Sequence, residues 1–180
     1  MSTRRETVLD AAIDLLGARG SRALTHRAVD EAAGVPAGSS SNYFRTREAL
    51  LLGIAERLEE RDRLDWAARD GAPTDPAALV DALAWFVTRA VGPDRARTRA
   101  RLALLSEGGA TPSVAEAVLR GHHRLRAAAT DLATAAGLAA EDAPVLVDYL
   151  DGLVVHLLPG GTADPRPGIR RLVGALLAQP

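Results

Sequence analysis

The sequence predicts an all-α protein of about nine helices, and three observations lead there. Only two Trp, two Tyr and two Phe occur in 180 residues, while Ala, Leu and Val dominate, a balance that favours helices over strands. Apolar residues recur at i, i+3, i+4 and i+7 along most of the chain. The recurring segments are punctuated by Thr, Ser or Asp before them and by Gly or Pro after them. The length suits a small domain followed by a larger one.

In order, residues 4–18 form a first helix with Val8, Ala12, Leu15 and Leu16 inward, preceded by Ser2 to Arg5, which read as a phosphate-seeking arm or a frayed end. Thr25 is an N-cap, and Ala28, Val29, Ala32 and Ala33 repeat at helical spacing until Gly34 ends the pattern. Pro36 has φ preset for a first turn, so a second short helix is expected from Pro36 through Tyr43 and Phe44. Two short helices joined by a tight glycine turn make a helix-turn-helix. Thr46 caps the next helix, Glu48 complements its positive end, and Leu50, Leu52, Ile54 and Leu58 carry it toward Trp66. Residues 59–65 are almost all charged and read as a solvated face.

Residues 71–76 are a loop ending in an Asp75 cap with Pro76 at the first helical position. A helix over 76–91 follows, with Leu79, Leu83, Phe86 and Ala90 on one face and Trp85 paired with Arg89 at i,i+4. Gly92 and Pro93 end it, and a helix over 94–107 stops at Gly108 and Gly109. Ser113 with Glu116 reads as a capping box for a long helix to about 136. The segment 141–158 is apolar on two sides and so needs two partners. The last helix, after Pro165 or Pro167, carries Ile169, Leu172, Val173, Leu176 and Leu177 as one apolar stripe.

The second short helix has an uncommon surface. Ser39, Ser40, Ser41 and Asn42 are weak helix formers that supply donors and acceptors instead of packing area. No acid occurs between residues 32 and 47, and Arg27, Arg45 and Arg47 lie nearby. A helix start turned outward with such a face suits a polyanion with readable base edges. The competing reading is an ordinary helix–glycine–helix corner.

From Arg4 to Arg47 the chain resembles the tetracycline-repressor (TetR) family of bacterial regulators. The resemblance is carried by Ala11, Ala12, Leu15, Leu16, Gly20, Leu24-Thr25, Val29, Ala32-Ala33-Gly34-Val35, Gly38, Tyr43-Phe44, Arg47-Glu48 and Leu50, in the family's order and spacing. It implies a three-helix DNA-binding domain over 1–46 and a helical ligand-binding and dimerisation domain over 47–180. Carried onto this chain, it puts Arg27 at a base, Ala37, Gly38, Ser39, Ser41 and Asn42 along the groove, and Thr25, Tyr43 and Arg47 at phosphates. The chain departs from the family at Ser40 and Ser41, where a leucine and a tyrosine are common, and at Arg47, where lysine is usual. Without that leucine, about 2 kcal/mol of burial, Tyr43 and Phe44 are left to anchor the recognition helix.

Composition limits the other functions. All 22 basic residues are Arg and face 23 acids, and residues 1–50 carry seven Arg against six acids, so DNA contact is local and not a coat of positive charge. With no Cys there is neither a disulfide nor a thiolate site. No apolar run reaches the roughly 18 residues that span a bilayer, the N-terminus does not read as a signal peptide, and the chain reads as cytoplasmic. No P-loop, dinucleotide fingerprint, nucleophile elbow or zinc-protease motif occurs, so no enzyme, cofactor or metal is expected. His122 and His123 are adjacent and point about 100° apart on a helix, and Asp148 with Asp151 reads as a polar stripe.

Trp85, Arg89, His123 and Tyr149 are candidates to line an effector pocket, against the reading that Trp85 simply fills core volume. Gly152, Leu153 and His156, with Ile169, Leu172, Val173 and Leu176, are candidates for a homodimer interface built from the last two helices. The expected function is a dimeric transcriptional regulator, a repressor by resemblance, that binds a near-palindromic double-stranded DNA operator and is released by a small-molecule effector. The alternative keeps the fold as an effector-independent regulator or a helical protein-interaction adaptor.

Overall fold

The computed structural model describes residues 3–68, 71–108, 111–161 and 163–178, and among them finds helices and no strand. The α-helices are α1 (Arg4–Arg19), α2 (His26–Ala33), α3 (Ser39–Tyr43), α4 (Arg47–Ala67), α5 (Pro76–Val91), α6 (Arg95–Gly108), α7 (Pro112–Ala135), α8 (Ala143–Leu157) and α9 (Arg166–Leu177). Short 3₁₀ turns at Ser21–Ala23 and Ala140–Asp142 complete the order. Ser2 and Gly109 lie outside the described residues.

Local chemistry sets most of these boundaries. The Thr3 hydroxyl accepts from the Glu6 N–H while the Glu6 carboxylate takes the Thr3 N–H, a capping box that starts α1. The side chains of Thr25, Thr46 and Asp75 accept from the backbone three residues on, starting α2, α4 and α5. Ser113 departs from expectation. It lies inside α7, and its hydroxyl donates to the Glu48 carboxylate instead of capping a helix.

The chain divides into two compact units, residues 1–68 with 96–121, and residues 69–95 with 122–180. The first unit is therefore larger than the segment 1–46. Its core joins Val8, Leu9, Ile13, Leu16, Val29, Phe44, Leu50, Ile54 and Leu58 to Ala100, Leu104 and Val114. Leu50, Ile54 and Leu58 of α4 all belong to this one core. Gly17 of α1 is held to a hydrogen by the Ala96 carbonyl, which a Cβ would overlap.

The charged run 59–65 belongs largely to this unit's packing and is not a solvated face. Arg97, 7% exposed in its side chain, pairs with Asp65 at 2.6 Å and Asp62 at 3.5 Å, and Arg101 pairs with Asp62. Arg57 binds Asp10 at 2.9 Å and Glu60 at 2.8 Å. These carboxylates, with the Asp10 hydrogen bond foremost, hold the Arg57 pKa above its usual value against the opposing effect of burial.

In the second unit, Leu79, Leu83 and Val87 of α5 pack with Leu146 and Leu150 of α8 and with Ile169, Val173 and Leu176 of α9. The stripe on α9 is thus covered mainly by its own chain. Helix α7 is continuous through the division, with Pro112 to Gly121 in the first unit and the remainder in the second.

Candidate nucleic-acid interface

Helix α2 ends at Gly34, whose φ of 63° is left-handed backbone that glycine adopts without penalty, and the Val35 N–H returns to the Asp30 carbonyl at 3.0 Å. The next helix does not begin at Pro36. Gly38, at φ 88°, is left-handed too, so no helix can run through it, and α3 starts only at Ser39. The Pro36 carbonyl instead closes a turn, accepting from the Ser39 N–H at 3.1 Å and the Ser39 hydroxyl at 2.6 Å.

Two of the amides at the start of α3 are taken by a side chain of α2. The Asp30 carboxylate accepts the Gly38 N–H at 2.7 Å and the Ser40 N–H at 2.8 Å. Burial alone would raise the Asp30 pKa, but the Ser40 side chain, the Ser40 and Gly38 N–H groups and the charge of His26 together hold it below the usual aspartate value. Ser40 is fully buried, and its hydroxyl donates to the His26 carbonyl at 3.1 Å. At the other end of α3 the His26 Nε2–H donates to the Phe44 carbonyl at 2.6 Å.

Phe44 is buried, whereas Tyr43 is 45% exposed and does not anchor the helix as expected. The residues expected along the groove stay at the surface. Ala37, Gly38 and Asn42 are exposed and Ser39 and Ser41 half-buried, with the Ser41 hydroxyl donating to the Gly38 carbonyl. Thr25, Arg27 and Arg45 are exposed beside them.

Arg47 is exposed, with 44% of its side chain accessible, yet its guanidinium is held by the protein. Its guanidinium donates to the Leu24 carbonyl at 2.8 Å and the Ser21 carbonyl at 2.9 Å, and it pairs with Glu107 at 3.4 Å. Arginine's fork satisfies two carbonyls at once, which an ammonium's point charge does less well. The sequence reading missed Asp30, His26 and Glu107, all of which act through backbone or partners distant in sequence.

The residues expected to line an effector pocket lie on α5, α7 and α8. The Arg89 guanidinium lies 5.5 Å from the Trp85 ring centroid and is salt-bridged to Asp94. Tyr149 is half-buried with its hydroxyl packed against Gly168 of α9. His123 is exposed on α7, and its neighbour His122 lies near Arg126, which pairs with Asp148 at 2.8 Å.

Of the residues expected at the dimer interface, Ile169, Val173 and Leu176 are buried within the protomer, and Leu153 and Leu172 pack partly against the same core. His156 is exposed, its Nδ1–H donating to the Gly152 carbonyl at 2.7 Å, and Gly152 has open space beside it. Val155 beside them is 51% exposed.

Two family models match the chain. Residues 8–54 match "bacterial regulatory proteins, tetR family", and residues 74–179 match "tetracyclin repressor-like, C-terminal domain". The chain belongs to the TetR family. No curated protein matches it. Among solved structures, this TetR-family protein is similar to a family member from Streptomyces coelicolor A3, with 27% identity over 99% of this chain and 100% of the other and a TM-score of 0.78. It is also similar to the multidrug binding protein EbrR complexed with ethidium, with 27% identity, 98% and 100% coverage and a TM-score of 0.73. A transcriptional regulator from Rhodococcus sp. Rha1, 22% identical over 97% of this chain and 96% of its own at a TM-score of 0.72, shares the fold. The helix-turn-helix of α2 and α3 is thus that of a TetR-family regulator, and no described helix is long and apolar enough to cross a membrane.

Proposed function

We propose that the protein is a cytoplasmic, non-enzymatic transcriptional repressor that binds a near-palindromic operator as a homodimer and leaves it when a small molecule binds the second unit. The observation that carries the DNA-reading role is the surface of α3: Ala37, Gly38, Ser39, Ser41, Asn42 and Tyr43 form an acid-free polar face, flanked by exposed Arg27 and Arg45. Small donors and acceptors on a helix that fits a major groove read base edges, and the arginines add a guanine fork or phosphate contacts. Thr25 and Tyr43 are assigned to phosphates in this reading. One motif per subunit then calls for half-sites about one helical turn, or a multiple of it, apart.

Support for an effector comes from EbrR, a relative similar along its whole length whose structure holds ethidium. Only a ligand that prefers one conformation over another can shift DNA affinity, and the effect must be reciprocal. The test is selection of bound fragments from random duplex DNA, followed by release of the selected duplex with a panel of small molecules that includes ethidium. A sequence-specific complex released by one compound, with that compound bound more weakly in the presence of DNA, is the expected result. A specific complex that no compound releases leaves an effector-independent regulator, and no specific complex leaves a helical interaction adaptor.

A further inference from the structure

Helix α3 has only five residues, and a helix that short is not stable by itself in water. Its apolar support is thin, since within it only Ser40 is buried and the rings of Tyr43 and Phe44 divide between solvent and core. What fixes it is a set of hydrogen bonds from α2. Asp30 takes the Gly38 and Ser40 N–H groups at the start of α3, and His26, one turn earlier on the same face of α2, donates to the Phe44 carbonyl at its end. The Ser40 hydroxyl closes the set on the His26 carbonyl.

We infer that His26 and Asp30 are positioning residues for DNA recognition, gripping the two ends of α3 through its backbone and so fixing the angle at which its side chains meet the groove. The inference rests on the DNA-reading function proposed above. A buried polar pair with both members satisfied fixes geometry more narrowly than a sliding apolar contact, because each hydrogen bond is directional and costly to leave unmade. Asp30 and Ser40, at 4% and 0% exposure, meet that condition. They stand in for the missing leucine. Because the grip acts on backbone groups, the side chains of Asn42 and Tyr43 remain available for reading, while the Ser39 and Ser41 hydroxyls, whose protons go to the Pro36 and Gly38 carbonyls, still offer acceptor oxygens.

The test uses the full chain with Asp30→Asn, His26→Ala and the double replacement Asp30→Ala with Ser40→Leu, which exchanges the polar pair for an apolar anchor. Two quantities are read: amide hydrogen exchange residue by residue, and the ratio of affinities for the selected duplex and a scrambled one. In Asp30→Asn an amide group faces the Gly38 and Ser40 donors, so exchange there is expected to rise about tenfold or more, as for a lost bond to a charged acceptor, with α1 and α4 unchanged. The affinity ratio is expected to fall by a similar factor, and the double replacement to recover most of it. His26→Ala should loosen the last turn of α3 and raise exchange at the Asn42 and Phe44 amides, and it carries the comparison if Asp30→Asn does not fold. Unchanged exchange at Gly38 and Ser40 in Asp30→Asn, unchanged exchange at Asn42 and Phe44 in His26→Ala, or protection lost equally throughout the unit in either, would overturn the inference. A wild-type chain that selects no duplex overturns the DNA-reading function, and exchange alone then decides whether the two residues position α3.

Discussion

The ring of Phe44 lies against the bare Cα of Gly53, so close that a Cβ there would sit 2.6 Å from the Phe44 Cε1 and 3.1 Å from the Leu9 Cδ2. Phe44 is the C-cap of α3 and Gly53 lies in mid-α4, so this gap seats the end of the recognition helix on the next helix. The Arg5 guanidinium sits 5.3 Å from the same ring. In Gly53→Ala, helix propensity gains about 1 kcal/mol, while forcing a methyl into a filled core costs about 1–3 kcal/mol. A net loss on the order of 1 kcal/mol is expected, with weaker operator binding. Urea unfolding would check it, and a more stable variant would mean that Phe44 gives way freely.

Arg45 and Arg47 should separate in their response to salt. Arg45 is exposed, so Arg45→Ala is expected to lower the slope of log affinity against log salt by about one, the loss of one phosphate contact. Arg47 is committed to the carbonyls of Ser21 and Leu24 and to Glu107. Arg47→Ala is therefore expected to cost about 1 kcal/mol of stability through the orphaned carbonyls and to change the salt slope less than Arg45→Ala does. Equal slopes with no change in melting temperature would return Arg47 to the DNA.

What the sequence could and could not disclose follows from the range of each signal. Caps act within one turn, so Thr25, Thr46 and Asp75 were readable as helix starts, and Gly34 as an end. Periodicity says that a face is buried but not by what. The stripe Ile169, Val173 and Leu176 therefore looked like an interface, although α5 and α8 of the same chain cover it. Charge gives no partner either. The run 59–65 pairs with Arg97 and Arg101, more than thirty residues away, and the carbonyls that hold Arg47 lie more than twenty residues before it. Asp30 sits in an Ala-rich helix, and only the fold-back of Gly38 reveals its role.

Acid should weaken the recognition unit through Asp30. Its folded pKa is lowered, so the stability it contributes is fully present above the unfolded value, near 3.9, and is lost as pH falls through the folded value. Wild type and Asp30→Asn are expected to differ in unfolding free energy by a constant amount between about pH 5 and 7, and to converge below about pH 4. Urea titrations across that range provide the measurement. A gap that widened in acid would mean that the carboxylate is not the favoured partner of the Gly38 and Ser40 amides.

Charged substitutions on the last two helices should also divide, according to whether the side chain is already buried in the protomer. Leu176 is 8% exposed inside the core of the second unit, so Leu176→Glu buries an unpaired charge and is expected to lower the melting temperature whatever the assembly state. Val155 and His156 face outward from α8 beside the open space at Gly152, and Leu177 does so from the end of α9. If that surface pairs with a second copy, Val155→Glu should leave the monomer folded and shift sedimentation to the monomer. DNA binding should then weaken, because one half-site contact is lost for each missing subunit. A Val155→Glu protein that remains dimeric would place the pairing surface elsewhere, and monomers that bind the selected duplex as tightly as wild type would remove the need for a palindromic operator.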